Sequence, residues 1–181
     1  MSNDTPSVIL LSRDTMAFMV PSGARMLLHA GTEVKVVQSL GHSFTVNVYG
    51  NLARIDSKDA DAIGQTVTDP LIDLPDDLTP EEQVKAVLKT VYDPEIPVNI
   101  DDLGLIYDCE LTPAPEGLYS VRVTMTLTAP GCGMGPVIVD DVKTRVASLP
   151  AVEEVVVNLV FDPPWDRSMM SDAAKLALDM F

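Results

Sequence analysis

Between Thr68 and Asp77 the chain places Pro70 and Pro75 among four aspartates, with neither a helical nor a strand period. A run of this kind cannot continue a helix, and its prolines donate nothing to a ladder, so it separates two independently folding parts. We therefore read residues 1–68 as one unit, 69–78 as a linker and 79–181 as a second unit. A chain of 181 residues has room for two small cores, and its hydrophobic content of 46% is ordinary for folded protein.

The first part reads as short apolar runs broken by turns. Val34, Val36 and Val37 precede Gly41, and Phe44, Val46 and Val48 alternate with polar neighbours. Gly31-Thr32 and Leu40-Gly41-His42 read as turns, and Gly50-Asn51 as the tight hairpin connection between Val48 and Leu52. A small, mostly β unit follows, a meander or small barrel, with a short helix expected over Asp56 to Ile63.

The second part begins with a helix signal. Thr79 can cap, Pro80 suits the first helical position, Glu82 completes a capping box, and Val84, Val87, Leu88 and Val91 share a face. Asp93 precedes Pro94 and is pushed out of helical geometry, so the helix is expected to stop near Tyr92. Leu103 to Thr112 reads as a strand, Val121, Val123, Met125 and Leu127 as a second, with a hairpin turn around Pro113 to Gly117. Pro136 can open a helix burying Ile138, Val142 and Val146, with Asp140 and Asp141 early and Lys143 and Arg145 late, the order its dipole favours. Val155, Val157, Leu159 and Phe161 supply a third strand, and Ser171 can cap a last helix containing Ala174, Ala177 and Leu178. The expected fold class is α+β: a mostly β amino-terminal unit followed by a two-layer α/β domain of order αββαβα.

Charge narrows the partners. The formal net charge is -15, from 27 Asp+Glu against 12 Lys+Arg. Sequence-independent attraction to phosphate is absent, so neither nucleic acid nor an anionic membrane is an expected partner. No apolar run approaches the roughly 18 residues that span a bilayer, and Met1 to Pro6 lacks a basic segment followed by an apolar one. A cytoplasmic location is expected, where both cysteines remain thiols.

The two thiols differ in setting. Cys132 sits in Thr128-Ala129-Pro130-Gly131-Cys132-Gly133-Met134-Gly135-Pro136, where a strand is expected to hand over to a helix. Gly131 and Gly133 let the backbone approach a ligand closely, and amides at a helix N-terminus favour thiolate over thiol. Three uses fit the pattern: ligand for a metal or cluster, nucleophile, or small residue in a tight turn. A nucleophile would need a neighbouring base or resolving thiol, and the sequence offers neither nearby, so no enzymatic activity is expected. Cys109 shares a strand face with Leu105, Tyr107 and Leu111 and reads as a small core hydrophobe. In Asp93-Pro94-Glu95 the acids can orient a ligand, or Asp93 can satisfy backbone amides in an Asx-type turn. His29 and His42 read as turn or surface residues, and no zinc spacing is visible. Trp165, with Met169 and Met170, is either a partner-binding surface or a seal for the last helix.

Asp93-Pro94-Glu95 through Leu103-Gly104-Leu105-Ile106-Tyr107-Asp108, Pro130 through Gly135, and Trp165 with Met169-Met170-Ser171 together resemble the metal-sulfur cluster assembly domain family over about residues 80–181. Pro21-Ser22-Gly23, Gly41-His42-Ser43-Phe44-Thr45-Val46 and Asp59 to Gly64 are similar to the extension of SufT-type members. The resemblance implies an accessory role in iron-sulfur protein maturation, with Cys132 at the family's cysteine and Asp93 and Glu95 at its acidic motif. It implies metal contact at Cys132, Asp93 and Glu95, and apo iron-sulfur proteins and assembly machinery as partners. Some members of the wider family are accessory subunits of ring-oxygenating complexes. A cluster takes about four protein ligands, so one held here would be labile and shared between Cys132 of two subunits, implying a homodimer. The competing role is that of a metal-free adaptor docking clients.

Overall fold

The computed structural model describes residues 8–40, 42–66, 74–93 and 95–180. Of the segments read above, Met1 to Pro6, Gly41, Thr68 to Asp73 and Pro94 lie outside the described residues. The chain falls into two compact units, residues 1–69 and 70–181.

In the first unit, β1 (Val8–Leu10), β2 (Thr15–Val20), β3 (Arg25–Leu28), β4 (Glu33–Leu40), β5 (Ser43–Val48) and β6 (Asn51–Asp56) form one sheet in the order β1-β4-β5-β6-β2-β3. Every pairing is antiparallel. Phe44, Val46 and Val48 alternate inward and join Leu28, Val34 and Ile55 in the core. A 3-10 helix, Ser57–Ile63, adds Ala60, Ala62 and Ile63 to that core. Val37 departs from the alternation because it is the extra residue of a bulge. Val36 faces Val46 while Gln38 faces Thr45, and Val37 turns out to solvent. The β5–β6 connection lies one residue earlier than expected, at Tyr49-Gly50. Both residues are left-handed, at φ 52° and 82°, as a two-residue hairpin requires. Asn51 already pairs with Val48, and Asn47 Oδ1 accepts the Gly50 N–H at 3.1 Å, which holds the turn there.

The second unit runs α1 (Pro80–Leu88), β7 (Ile106–Pro113), β8 (Tyr119–Met125), α2 (Gly135–Ala147), β9 (Val152–Leu159) and α3 (Asp172–Ala177), with 3-10 turns at Pro115–Gly117 and Arg167–Met169. Its sheet has the order β7-β8-β9, antiparallel at the first pair and parallel at the second. The parallel pair needs a crossover, which α2 provides. Val84, Val87 and Leu88 of α1, Val121, Val123 and Met125 of β8, and Ile138, Val142 and Val146 of α2 are all buried and form the interior between helices and sheet. Each such side chain contributes about 1.5–3 kcal/mol by leaving water. The class is α+β, and no helix among the described residues is long and apolar enough to cross a membrane.

Local chemistry sets the element ends. The Thr79 hydroxyl accepts the Glu82 N–H, and the Glu82 carboxylate accepts the Thr79 N–H at 2.8 Å, closing the capping box. The helix stops at Leu88, short of Tyr92. Thr90 Oγ1 donates to the Val87 carbonyl, and the chain then extends so that Val91 and Tyr92 pair with the returning segment at Ile100 and Asn99. Strand β7 starts at Ile106, three residues later than read, because Leu103 and Gly104 close a turn onto Asn99 and Asp101. Strand β9 stops at Leu159. Val155 is buried in the core, while Leu159 and, beyond the strand, Phe161 are exposed. Arg145 is turned inward, its Nε donating to Thr90 Oγ1 at 2.8 Å and tying α2 to the turn after α1.

Candidate functional site

The Cys132 turn connects β8 to α2 and is pinned at both ends. Leu127 and Met134 are buried, and a Cβ added at Gly135 would meet Leu127 Cδ1 at 2.7 Å, so glycine permits the close approach. Between these anchors Ala129, Pro130 and Gly131 are exposed, and Cys132 and Gly133 are half-buried. Gly131 takes φ 78° with open space around it. The Cys132 N–H donates to the Ala129 carbonyl at 3.4 Å, and the Gly135 N–H donates to the Cys132 carbonyl at 3.1 Å. These bonds fix the backbone and leave the thiol uncommitted to the core, two residues before the Met134 cap of α2.

The acidic motif forms a second turn, after α1. Asp93 is 7% exposed, and its Oδ1 accepts the N–H groups of Glu95 and Ile96, each at 2.9 Å. This is the Asx-type turn, with the aspartate organising its own backbone. Burial pushes the Asp93 carboxyl above its ordinary range, and the two amide bonds partly oppose that. Glu95 is exposed. No group of three or more His, Cys, Asp or Glu side chains able to hold a metal ion occurs among the described residues, so Cys132, Asp93 and Glu95 do not converge into one such cluster.

A third feature joins the loop after Asp93 to the chain beyond β9. Trp165 Nε1 donates to the Leu103 carbonyl at 2.7 Å, Tyr107 Oη donates to the Pro163 carbonyl at 2.7 Å, and the Ser171 N–H donates to the Asp102 carbonyl at 2.8 Å. Asp102 also receives Asn99 Nδ2 at 2.7 Å and Ser171 Oγ at 3.0 Å. The Asn99 bond holds the Asp102 carboxyl below its ordinary range; desolvation opposes it, and the Ser171 bond and nearby Lys89 and Lys85 add to the lowering. Gly104, at φ 77°, lies so close to Met169 that a Cβ would collide with the Met169 carbonyl oxygen. Trp165 is thus tied to the loop after Asp93, and Met170 is buried. The sequence reading passed over Asn99, Asp102 and Gly104 individually, although Asn-x-x-Asp before a glycine is a turn signature.

Cys109 points between α1 and β7 and is half-buried, facing the interior without being enclosed by it. Burial first, then the charges of Asp108 and Asp101, push its thiol up. His29 Nδ1 lies 3.4 Å from Asp14, and His42 Nδ1 lies 3.2 Å from Ser57 Oγ. Both contacts belong to the β unit.

The second unit is thus an α+β domain that presents one thiol ahead of a helix, and it follows a β unit in the chain. A family model described as iron-sulfur cluster assembly protein matches residues 81–158. The chain is 48% identical over 101 residues to an Fe-S protein maturation auxiliary factor of Porphyromonas gingivalis, covering 56% of this chain and 92% of that one. It is 47% identical over 88 residues to the Fe-S protein maturation auxiliary factor SufT of Staphylococcus aureus, covering 49% of this chain and 96% of that one. A crystal structure from Bacillus anthracis, described as a domain of unknown function DUF59, is 41% identical and superposes with a TM-score of 0.49 over 56% of this chain and 93% of that one. The chain belongs to the SufT-type family of iron-sulfur cluster assembly proteins.

Proposed function

We propose that the chain is an accessory factor in iron-sulfur protein maturation that holds iron or a cluster transiently through Cys132 and passes it to apo-protein clients, without catalysing a reaction of its own. The observation that carries this is the Cys132 turn, a half-buried thiol on a backbone fixed by Leu127, Met134 and Gly135 and flanked by Gly131 and Gly133. The names of the relatives, maturation auxiliary factors, support the same role.

A cluster asks for about four ligands, mainly thiolates, and the Cys132 turn offers one. In this reading the cargo is bridged by Cys132 of two subunits, with a small thiol or a carboxylate completing it, and such an incomplete donor set releases cargo readily. Asp93 shapes the acidic turn and Glu95 is its free carboxylate, the pair we assign to metal handling. Residues 79–181 are the assembly domain, 1–68 the SufT-type extension, and 69–78 the linker between them. The setting is cytoplasmic. The alternative is a metal-free adaptor that docks clients through the Trp165 region and the amino-terminal β unit.

The test is anaerobic reconstitution with ferrous iron and sulfide, read by visible absorption for the wild type beside Cys132→Ala. A charge-transfer band in the wild type that the variant lacks supports the carrier. A wild type without a specific band returns the role to metal-free docking.

A further inference from the structure

The free edge of β7 borders a second recognition feature, separate from the Cys132 turn. Among the described residues β7 pairs only with β8, so one side of this eight-residue strand keeps its backbone groups unpaired by any strand. Unpaired edges are templates for an added strand. Between that strand and α1 lies a cleft of about 380 Å³. Its floor is apolar, from Leu88, Leu111 and the Cys109 thiol. Its rim carries Glu81, Asp101 and Asp108 against one base, Lys85, with Lys89 beyond it 4.0 Å from Asp101. The surroundings reinforce the sign, since residues 70–181 hold 20 of the chain's 27 acids and 7 of its 12 bases.

We propose that this cleft docks an extended segment of a partner protein in which Lys or Arg alternates with aliphatic residues, added antiparallel or parallel along the edge of β7. Period-two alternation sends one set of side chains over the Leu88–Cys109–Leu111 floor and the other to the opposite face of the sheet, beside the β7 carboxylates Asp108 and Glu110. Backbone bonds supply affinity, and the carboxylates choose basic over acidic partners and speed encounter. Burial is the main reason the Cys109 thiol is pushed up, and the added push from Asp108 and Asp101 agrees with a negative field in the cleft. The inference stands whether or not Cys132 holds cargo.

Cys109 makes the test internal. The full chain is exposed to iodoacetamide with and without an eight-residue peptide alternating lysine and valine, and alkylation at Cys109 and Cys132 is read separately by mass spectrometry. The expected result is slower alkylation of Cys109 at an unchanged Cys132 rate, with no protection by the glutamate–valine counterpart. In an Asp108→Asn, Glu110→Gln double variant, anisotropy of a labelled peptide is expected to show about tenfold weaker binding. Protection by the glutamate peptide, full affinity in the double variant, or no protection at all would overturn the proposal. So would a doubled mass in sedimentation with Cys109 already shielded, because the edge would then belong to a second copy.

Discussion

Replacing Gly104 with Ala tests how the tail beyond β9 holds the turn that runs from Asn99 to Leu105. Two costs are separable. The first is the left-handed backbone at φ 77°, about 1 kcal/mol for a residue with a Cβ. The second is the collision with the Met169 carbonyl, which is backbone and can yield only if the tail moves. Moving it weakens the Trp165–Leu103 and Ser171–Asp102 hydrogen bonds, at about 1 kcal/mol each. The sum is about 3 kcal/mol, or about 12 °C in the Tm of a unit of this size. Gly117 is the control, at φ 75° with nothing within 4 Å, and its Ala variant is expected to lose about 1 kcal/mol. The chain's one tryptophan is Trp165, so its fluorescence during urea unfolding reports the second unit directly. If Gly104→Ala is no less stable than Gly117→Ala, the tail does not depend on that close approach and the reasoning fails.

Three further outcomes are expected. Asp93→Asn keeps an acceptor for the Glu95 and Ile96 amides while removing a buried charge. Because the folded carboxyl sits above its unfolded value, the stability it adds is present below about pH 3.9 and is lost as pH rises through the folded value. The Asn variant should lack that decline and match or exceed the wild type at pH 7 in urea melts, whereas Asp93→Ala should lose about 1–3 kcal/mol. Ser171→Ala removes both the cap of the Ala174 N–H and a donor to Asp102, and a drop of about 1–2 kcal/mol in the same melts is expected. Asp102, held below its ordinary range, adds stability above its unfolded value that is lost as pH falls through the folded one, so the wild-type advantage over Asp102→Asn should shrink on acidification.

The elements the sequence made legible are those built by local rules. Thr79, Pro80 and Glu82 announced α1, and the alternation of Val121, Val123 and Met125 announced β8, because capping and period-two burial act within a few residues. The misplacements come from bonds that alternation does not read. Tyr49 took the left-handed position because Asn47 reached Gly50, and β7 was shortened by the turn that Asn99 and Asp101 close. In the candidate site, Cys132 was readable from its glycines. The Trp165–Leu103 and Ser171–Asp102 contacts join residues more than sixty positions apart, and no spacing rule reaches that far. The Cys109 cleft was hidden for a related reason, since strand alternation tells which face a side chain takes but not whether a helix covers it.

The most direct measurement is native mass spectrometry of the anaerobically reconstituted chain, counting iron, sulfide and subunits in one ion, beside Cys132→Ala. The account predicts cargo on a two-chain species of the wild type and apo single chains for the variant, both folded by circular dichroism. A cluster carried by a single chain, or retained by the variant, would contradict it.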